Sequence, residues 1–246
     1  MTNILELISR VRNDFRFSKQ ELTGLGVAIL VTGFLFSFKN WGGDKFNLLI
    51  GLKNFLLTTL AAGIGFLAHV GPQKIYCLGE GYKAEFKTWW PGIIIVLVLG
   101  FISAGNITLI LAGGMFMSFM VRQRLGEFRY GYNLEQQAVT AFWGIYGSII
   151  LATIFRIFTY YFPQNLFFEK GLLICLIYAI CSLLPIPGLD GLNLFFGSRM
   201  IYFFSIVLVV VITLLFFLGG GVGLMVAIIG QVLFDGYYLL AVGSEK

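Results

Sequence analysis

Residues 48–68 read LLIGLKNFLLTTLAAGIGFLA, a stretch whose single charge is Lys53. A helix rises about 1.5 Å per residue and the hydrocarbon layer of a bilayer is about 30 Å thick, so about 20 mostly apolar residues suffice to cross it. Comparable windows lie at Leu22–Phe38, Ala138–Tyr160, Phe167–Leu184, Met200–Leu218 and Leu224–Val242. The whole chain shares the bias: of 246 residues 58% are hydrophobic, 17% aromatic and 12% charged, with a mean hydropathy of +0.88. A water-soluble domain carries about 25% charged residues. A soluble globule is therefore excluded, and lipid is the expected solvent. Disorder, collagen and a disulfide scaffold fail too, because polar bias, a Gly-X-Y period and a high cysteine density are all absent. The three cysteines, Cys77, Cys175 and Cys181, say nothing about compartment.

The stretch Met1–Gln20 carries Arg10, Arg12, Arg16 and Lys19 on an amphipathic pattern and lacks the continuous apolar core of a cleavable signal. It is expected to lie on the inner leaflet, with the N-terminus cytoplasmic. The window Trp89–Val121 is too long for one helix and is interrupted by Pro91, Ser103-Ala104-Gly105-Asn106 and Gly113-Gly114. Positive charge collects on the cytoplasmic side of membrane proteins. If this window begins and ends on one side, Lys74, Lys83, Lys87, Arg122, Arg124, Arg129, Arg199 and Lys246 join the N-terminal cations inside. Lys39, Lys45, Arg156 and Lys170 then lie near the outer face. A single crossing would move Arg122, Arg124 and Arg129 outside, against the bias. The window therefore reads as re-entrant, and the alternation over Thr108–Ser118 suggests a short β-hairpin for part of it. The expected fold is an all-α polytopic membrane protein of six to seven transmembrane helices with a re-entrant or β-hairpin element around 91–121. An N-terminal segment, 1–21, precedes a single transmembrane domain, 22–242.

Ionisable residues in or beside membrane spans are costly and point to function by default. Here they are Lys53, His69, Glu80, Glu85, Asp190 and Asp235. His69, the one histidine, ends the second span in Phe66-Leu67-Ala68-His69-Val70-Gly71-Pro72-Gln73-Lys74. Asp190 closes Ser182-Leu183-Leu184-Pro185-Ile186-Pro187-Gly188-Leu189-Asp190-Gly191. Both fall in the cytoplasmic half of the expected topology, where they can meet. Plain structural roles stand beside the functional ones: an interfacial histidine bonded to backbone, and a helix N-cap after a Pro-rich turn. Asp235 and Gln231 form the other polar pair at helical spacing. Gly219-Gly220-Gly221-Val222-Gly223 reads as a turn or close helix contact, since no Lys-Ser/Thr comes after it.

The stretch Leu183-Leu184-Pro185-Ile186-Pro187-Gly188-Leu189-Asp190-Gly191 resembles the Asn-Leu-Leu-Pro-x-Pro-x-Leu-Asp-Gly signature of the site-2 protease family of intramembrane zinc metalloproteases, especially its small archaeal members. Gly81-Tyr82-Lys83-Ala84-Glu85-Phe86-Lys87 is similar to the segment after that family's His-Glu-x-x-His-Lys motif, and Phe196-Gly197-Ser198-Arg199 is similar to the residues after the family's aspartate. The resemblance implies a core over about 46–199, a zinc ligand at Asp190 and the plasma membrane of a prokaryote. With Lys74 setting the register, His-Glu-x-x-His falls on His69-Val70-Gly71-Pro72-Gln73, and the signature Asn on Ser182. The first His remains, the general base is Val70 and the second His is Gln73. A hydrolytic zinc needs three protein ligands, an open position and a carboxylate, whereas Val accepts no proton and an amide oxygen is a weak ligand. Pro72 should also kink the helix, at a cost of about 3 kcal/mol.

These departures lead to the expectation of a pseudoprotease, not an enzyme and without a cofactor, whose degenerate pocket comprises His69, Gln73, Ser182, Pro185, Pro187 and Asp190. Its expected partners are the lipid bilayer and a membrane protein or transmembrane client, with an edge strand around 107–121 open to strand addition. Nucleic acid is excluded, since the net charge of +5 is read as inner-leaflet anchoring. An active zinc metalloprotease with an atypical ligand set, and a small transporter or channel, are the alternatives.

Overall fold

A helix in lipid satisfies its own backbone, and the apolar windows fold accordingly. The computed structural model describes residues 4–42, 47–119 and 133–244. In chain order they form α1 (Ile4–Asp14), α2 (Lys19–Ser37), α3 (Leu48–Gly79), β1 (Tyr82–Thr88), α4 (Trp90–Ile102), β2 (Gly113–Phe119), α5 (Leu134–Tyr161), α6 (Leu166–Ser182), α7 (Asp190–Gly197), α8 (Arg199–Leu218) and α9 (Gly220–Ser244). This is an all-α membrane protein with a small two-stranded sheet. Among the described residues five helices are long and apolar enough to cross a membrane: α2, α3, α5, α8 and Gly220–Tyr237 of α9. At 17 residues α6 sits at the short end of the crossing range. Arg122, Arg124, Arg129, Lys45 and Lys246, on which the charge argument leaned, lie outside the described residues.

Two faces of α3 show how lipid and core divide the chain. Leu52, Leu56, Leu60, Ile64 and Leu67 recur at three- and four-residue spacing and are exposed, the stripe that acyl chains would cover. Ala61, Ala62, Gly65, Phe66, His69, Val70 and Gln73 face inward, against α2, α5 and α6. At the start of α2 Ser18 closes a capping box with Glu21, and Asn47, Asn133 and Asn165 cap α3, α5 and α6 with their side chains.

Pro72 lies inside α3, which runs on through it to Gly79. Proline deprives the Ala68 carbonyl of its i+4 donor, and α5 closes on that spot. A Cβ at Gly147 would stand 2.2 Å from the Ala68 oxygen and 2.9 Å from Pro72 Cγ. A glycine at 147 is what lets α5 pack against this turn.

The expected hairpin within Trp89–Val121 is replaced by a different pairing. Over 13 residues α4 is only about 20 Å long, too short to cross. The chain turns at Ala104 and Gly105, whose φ values are 49° and 73°, and returns as β2. This strand pairs antiparallel with β1, from Tyr82↔Phe119 to Thr88↔Gly113. Residues 89–112 thus leave from and return to the same small sheet. The alternation was legible, but its partner lay in a segment, Tyr82–Thr88, to which the sequence reading assigns no strand.

A buried ion pair ties the sheet to the bundle. Lys74 Nζ lies 2.8 Å from Glu21 Oε1, with the two side chains 4% and 3% exposed. Lys74 also donates to the Arg16 carbonyl and lies over the Phe17 ring, while Glu21 Oε1 accepts the Phe86 N–H of β1 at 2.7 Å. Removing one partner of a buried pair strands the other charge, at a cost of about 3–5 kcal/mol. Lys74→Met should therefore lower thermal stability in detergent by about that amount, and adding Glu21→Gln should recover part of it.

Candidate functional site

The inward face of α3 carries His69 and Gln73 one turn apart, both fully buried. Opposite them α5 presents small residues at four-residue spacing, Thr140, Gly144 and Ser148, the pattern that lets helices approach closely. A Cβ at Gly144 would meet Gln73 Nε2 at 2.3 Å, so glycine is what admits the amide. Ser148 Oγ lies 2.8 Å from His69 Nδ1. From α6, Tyr178 stacks on the imidazole with ring centroids 4.1 Å apart.

Asp190 arrives from the far side of the signature loop. Gly188 takes φ +96° with Trp89 packed against it, a left-handed turn that sends the chain into α7. Leu189 is the N-cap, and no side-chain hydrogen bond caps the helix. Asp190 is therefore not the cap that its position suggested; its carboxylate is used in the interior. Oδ2 lies 2.9 Å from His69 Nε2 and accepts from Gln73 Nε2 at 2.9 Å. Oδ1 accepts the Met115 N–H of β2 at 2.8 Å. Gly114 makes room, because a Cβ there would stand 3.0 Å from Asp190 Oδ1. A carboxylate is an acceptor, so the ring N–H sits on Nε2 and, in a neutral imidazole, Nδ1 accepts from the Ser148 hydroxyl.

Of the six residues expected in the pocket, His69, Gln73 and Asp190 come together. Ser182 donates to the Ala179 carbonyl of its own helix, and Pro185 and Pro187 are exposed and shape the turn. Nor is the His69 ring bonded to backbone, as its plainer role would have it; both its nitrogens meet side chains. Ser148, Tyr178, Asn193 and the backbone of Met115 complete the cluster and were missed. The small-residue spacing on α5 was the available signal for Ser148. The other acidic candidates are engaged elsewhere, Glu80 accepting from Gln136 and Glu85 pairing with exposed Lys83.

As a zinc centre this set is short. Among the described residues no three of His, Cys, Asp and Glu are grouped to hold a metal, and the carboxylate position of the motif is Val70, fully buried. The strong donors are two, His69 Nε2 and Asp190 Oδ2. One further atom is at hand: Gln73 Oε1, buried and with no hydrogen-bond partner. The Tyr178 hydroxyl is in the same condition. The residues thus fall one strong donor short of the three-ligand set of a hydrolytic zinc.

Fold and site together define an integral membrane protein with a buried polar cluster among its helices. The chain is 27% identical over 181 residues, 72% of its own length and 84% of the other's, to a Methanocaldococcus jannaschii protein named "Putative zinc metalloprotease". That similarity supports a site-2-protease-like family. It also corrects the expectation that the chain is not an enzyme, for the relative is named for proteolysis. No family model matches the chain, and no solved structure matches it.

Asp190 is the acceptor on which the cluster converges, so Asp190→Ala would leave three buried donors unpaired at about 1–3 kcal/mol each. Thermal unfolding in detergent should show a loss on the order of 3 kcal/mol or more, against about 1 kcal/mol for Ser148→Ala.

Proposed function

We propose that this chain is a site-2-protease-like integral membrane protein that receives an extended segment of a transmembrane client along β2, beside His69 and Asp190. The observation that carries this reading is the position of the strand: Met115 gives its N–H directly to Asp190, so a peptide running along that edge would lie against the polar cluster. A strand recognises an extended chain through main-chain hydrogen bonds. The proposal includes a single transmembrane domain over 22–242, an N-terminus in the cytoplasm and the plasma membrane of a prokaryote. The partners in this reading are the bilayer and a membrane protein client, and nucleic acid plays no part.

The test uses two synthetic transmembrane peptides in nanodiscs, one a Leu/Ala helix interrupted by Gly-Pro and one unbroken. A photo-cross-linker at Ser118, exposed on β2, should capture the interrupted peptide preferentially. Capture of neither peptide, or of both equally, rejects the reading.

A second reading is favoured by the orphaned Gln73 Oε1: an active zinc metalloprotease with an atypical ligand set. His69, Asp190 and the Gln73 carbonyl would then be the residues that hold the ion, with the amide oxygen as the third and weakest donor. Protein purified without chelator should contain about one zinc per chain by elemental analysis, and Asp190→Ala and Gln73→Leu should each lose it. Zinc-free protein from such a preparation refutes this second reading.

A further inference from the structure

Strand addition needs a free backbone edge, and in this structure that edge is held. Successive residues of an antiparallel strand turn their N–H and C=O alternately towards and away from the partner. The Trp89 N–H donates to the Ala112 carbonyl at 2.8 Å, which directs Ala112 towards the β1 side. Gly113, Met115 and Met117 therefore present their backbone groups to the opposite side. The other edge of the sheet agrees, since Phe86, the register partner of Met115, turns its N–H away from β2 to Glu21.

At Met115 both outward groups are taken by α7. Asp190 Oδ1 accepts the N–H at 2.8 Å, and Asn193 Nδ2 donates to the C=O at 3.2 Å. Asp190 and Asn193 are three residues apart, hence on one face of the helix. One acceptor and one donor aimed at a single strand residue are what one residue of an added strand would offer. The start of α7 also packs closely against Gly114, where a Cβ would stand 3.0 Å from Asp190 Oδ1.

We propose that α7 is a side-chain clasp on the client-binding edge of β2, with Asn193 as its releasable arm. The inference rests on the client-binding reading above. The two arms are unequal. Asp190 is 1% exposed and anchored by His69 and Gln73, whereas Asn193 is only partly buried and holds the carbonyl through one bond. When Asn193 lets go, the Met115 carbonyl is free to accept from an incoming peptide N–H. Transfer of the Met115 N–H to the peptide then uncovers Asp190 Oδ1 beside the bound chain. Until then the clasp also shields an edge that would otherwise pair with any extended segment.

The experiment uses the full chain in nanodiscs and the Gly-Pro-interrupted Leu/Ala peptide, labelled with a fluorophore. Asn193→Ala removes the donor, and Asn193→Leu removes it while keeping the side chain's shape and adding no charge, so the second variant guards against a folding defect in the first. Both should bind the peptide about three- to tenfold more tightly than the unaltered protein, the scale of one net hydrogen bond, and amide exchange over 113–119 should quicken. Equal or weaker binding by both variants overturns the clasp while leaving the client-binding reading intact. Absence of binding by all three proteins overturns both.

Discussion

A carboxylate held at 1% exposure inside a bundle of apolar helices is stable only if donors surround it. Asp190 meets that demand with three, and each comes from a different part of the chain or a different turn: His69 and Gln73 from α3, and the Met115 N–H from β2. The positions of α3, β2 and α7 are thereby coupled to one atom pair. His69 passes the constraint on to α5 through Ser148. A cluster of this kind is costly when half satisfied, which explains why the elements around it are cut to fit, with Gly144, Gly114 and Gly188 standing where a side chain would collide.

The bilayer imposes the second constraint. Lipid offers no hydrogen bonds, so non-helical backbone is tolerated only where protein or water covers it. The sheet meets this rule on three sides. Its strands pair with one another, Glu21 accepts from the β1 edge at Phe86, and α7 serves the β2 edge at Met115. The buried Glu21–Lys74 pair obeys the same logic, because an unpaired charge at that depth would be far more expensive than a matched pair.

Much of this was legible in the sequence, and the remainder was hidden for physical reasons. Long apolar windows are self-contained signals, so α2, α3, α5, α8 and α9 could be read from composition and length. His69 and Asp190 stood out because ionisable groups are rare in such a chain, and the Pro-Ile-Pro-Gly turn marked the second of them. The partner of β2 was hidden, since pairing across the 24 intervening residues leaves no local trace in either strand. The close approach of α5 to Pro72 was hidden too, because it depends on a glycine of another helix, Gly147. Ser148 and Tyr178 were overlooked for a related reason: a serine and a tyrosine in a membrane helix are unremarkable until a polar group is found opposite them. The expectation of a non-enzyme went wrong at a different step. It inferred an absence of chemistry from departures at three motif positions, and the similarity to a named metalloprotease runs against that inference.

Why a protein of this kind should keep a sheet at all beside its helices can be understood from the energetics of a client. A transmembrane helix that unwinds in lipid exposes N–H and C=O groups at several kcal/mol each, so an extended conformation is reached only where another backbone supplies the missing partners. The helices of the bundle cannot do so, because their own ladders are complete. A strand edge can, at every second residue, and Met115 places that edge in contact with the polar cluster. The same property makes an open edge hazardous in a crowded membrane. In the proposed reading, an edge closed by two side chains, one anchored by His69 and Gln73 and the other held by a single bond, reconciles the two demands: the strand stays covered at rest, and the two bonds at Met115 would be exchanged in turn for those of the client's backbone.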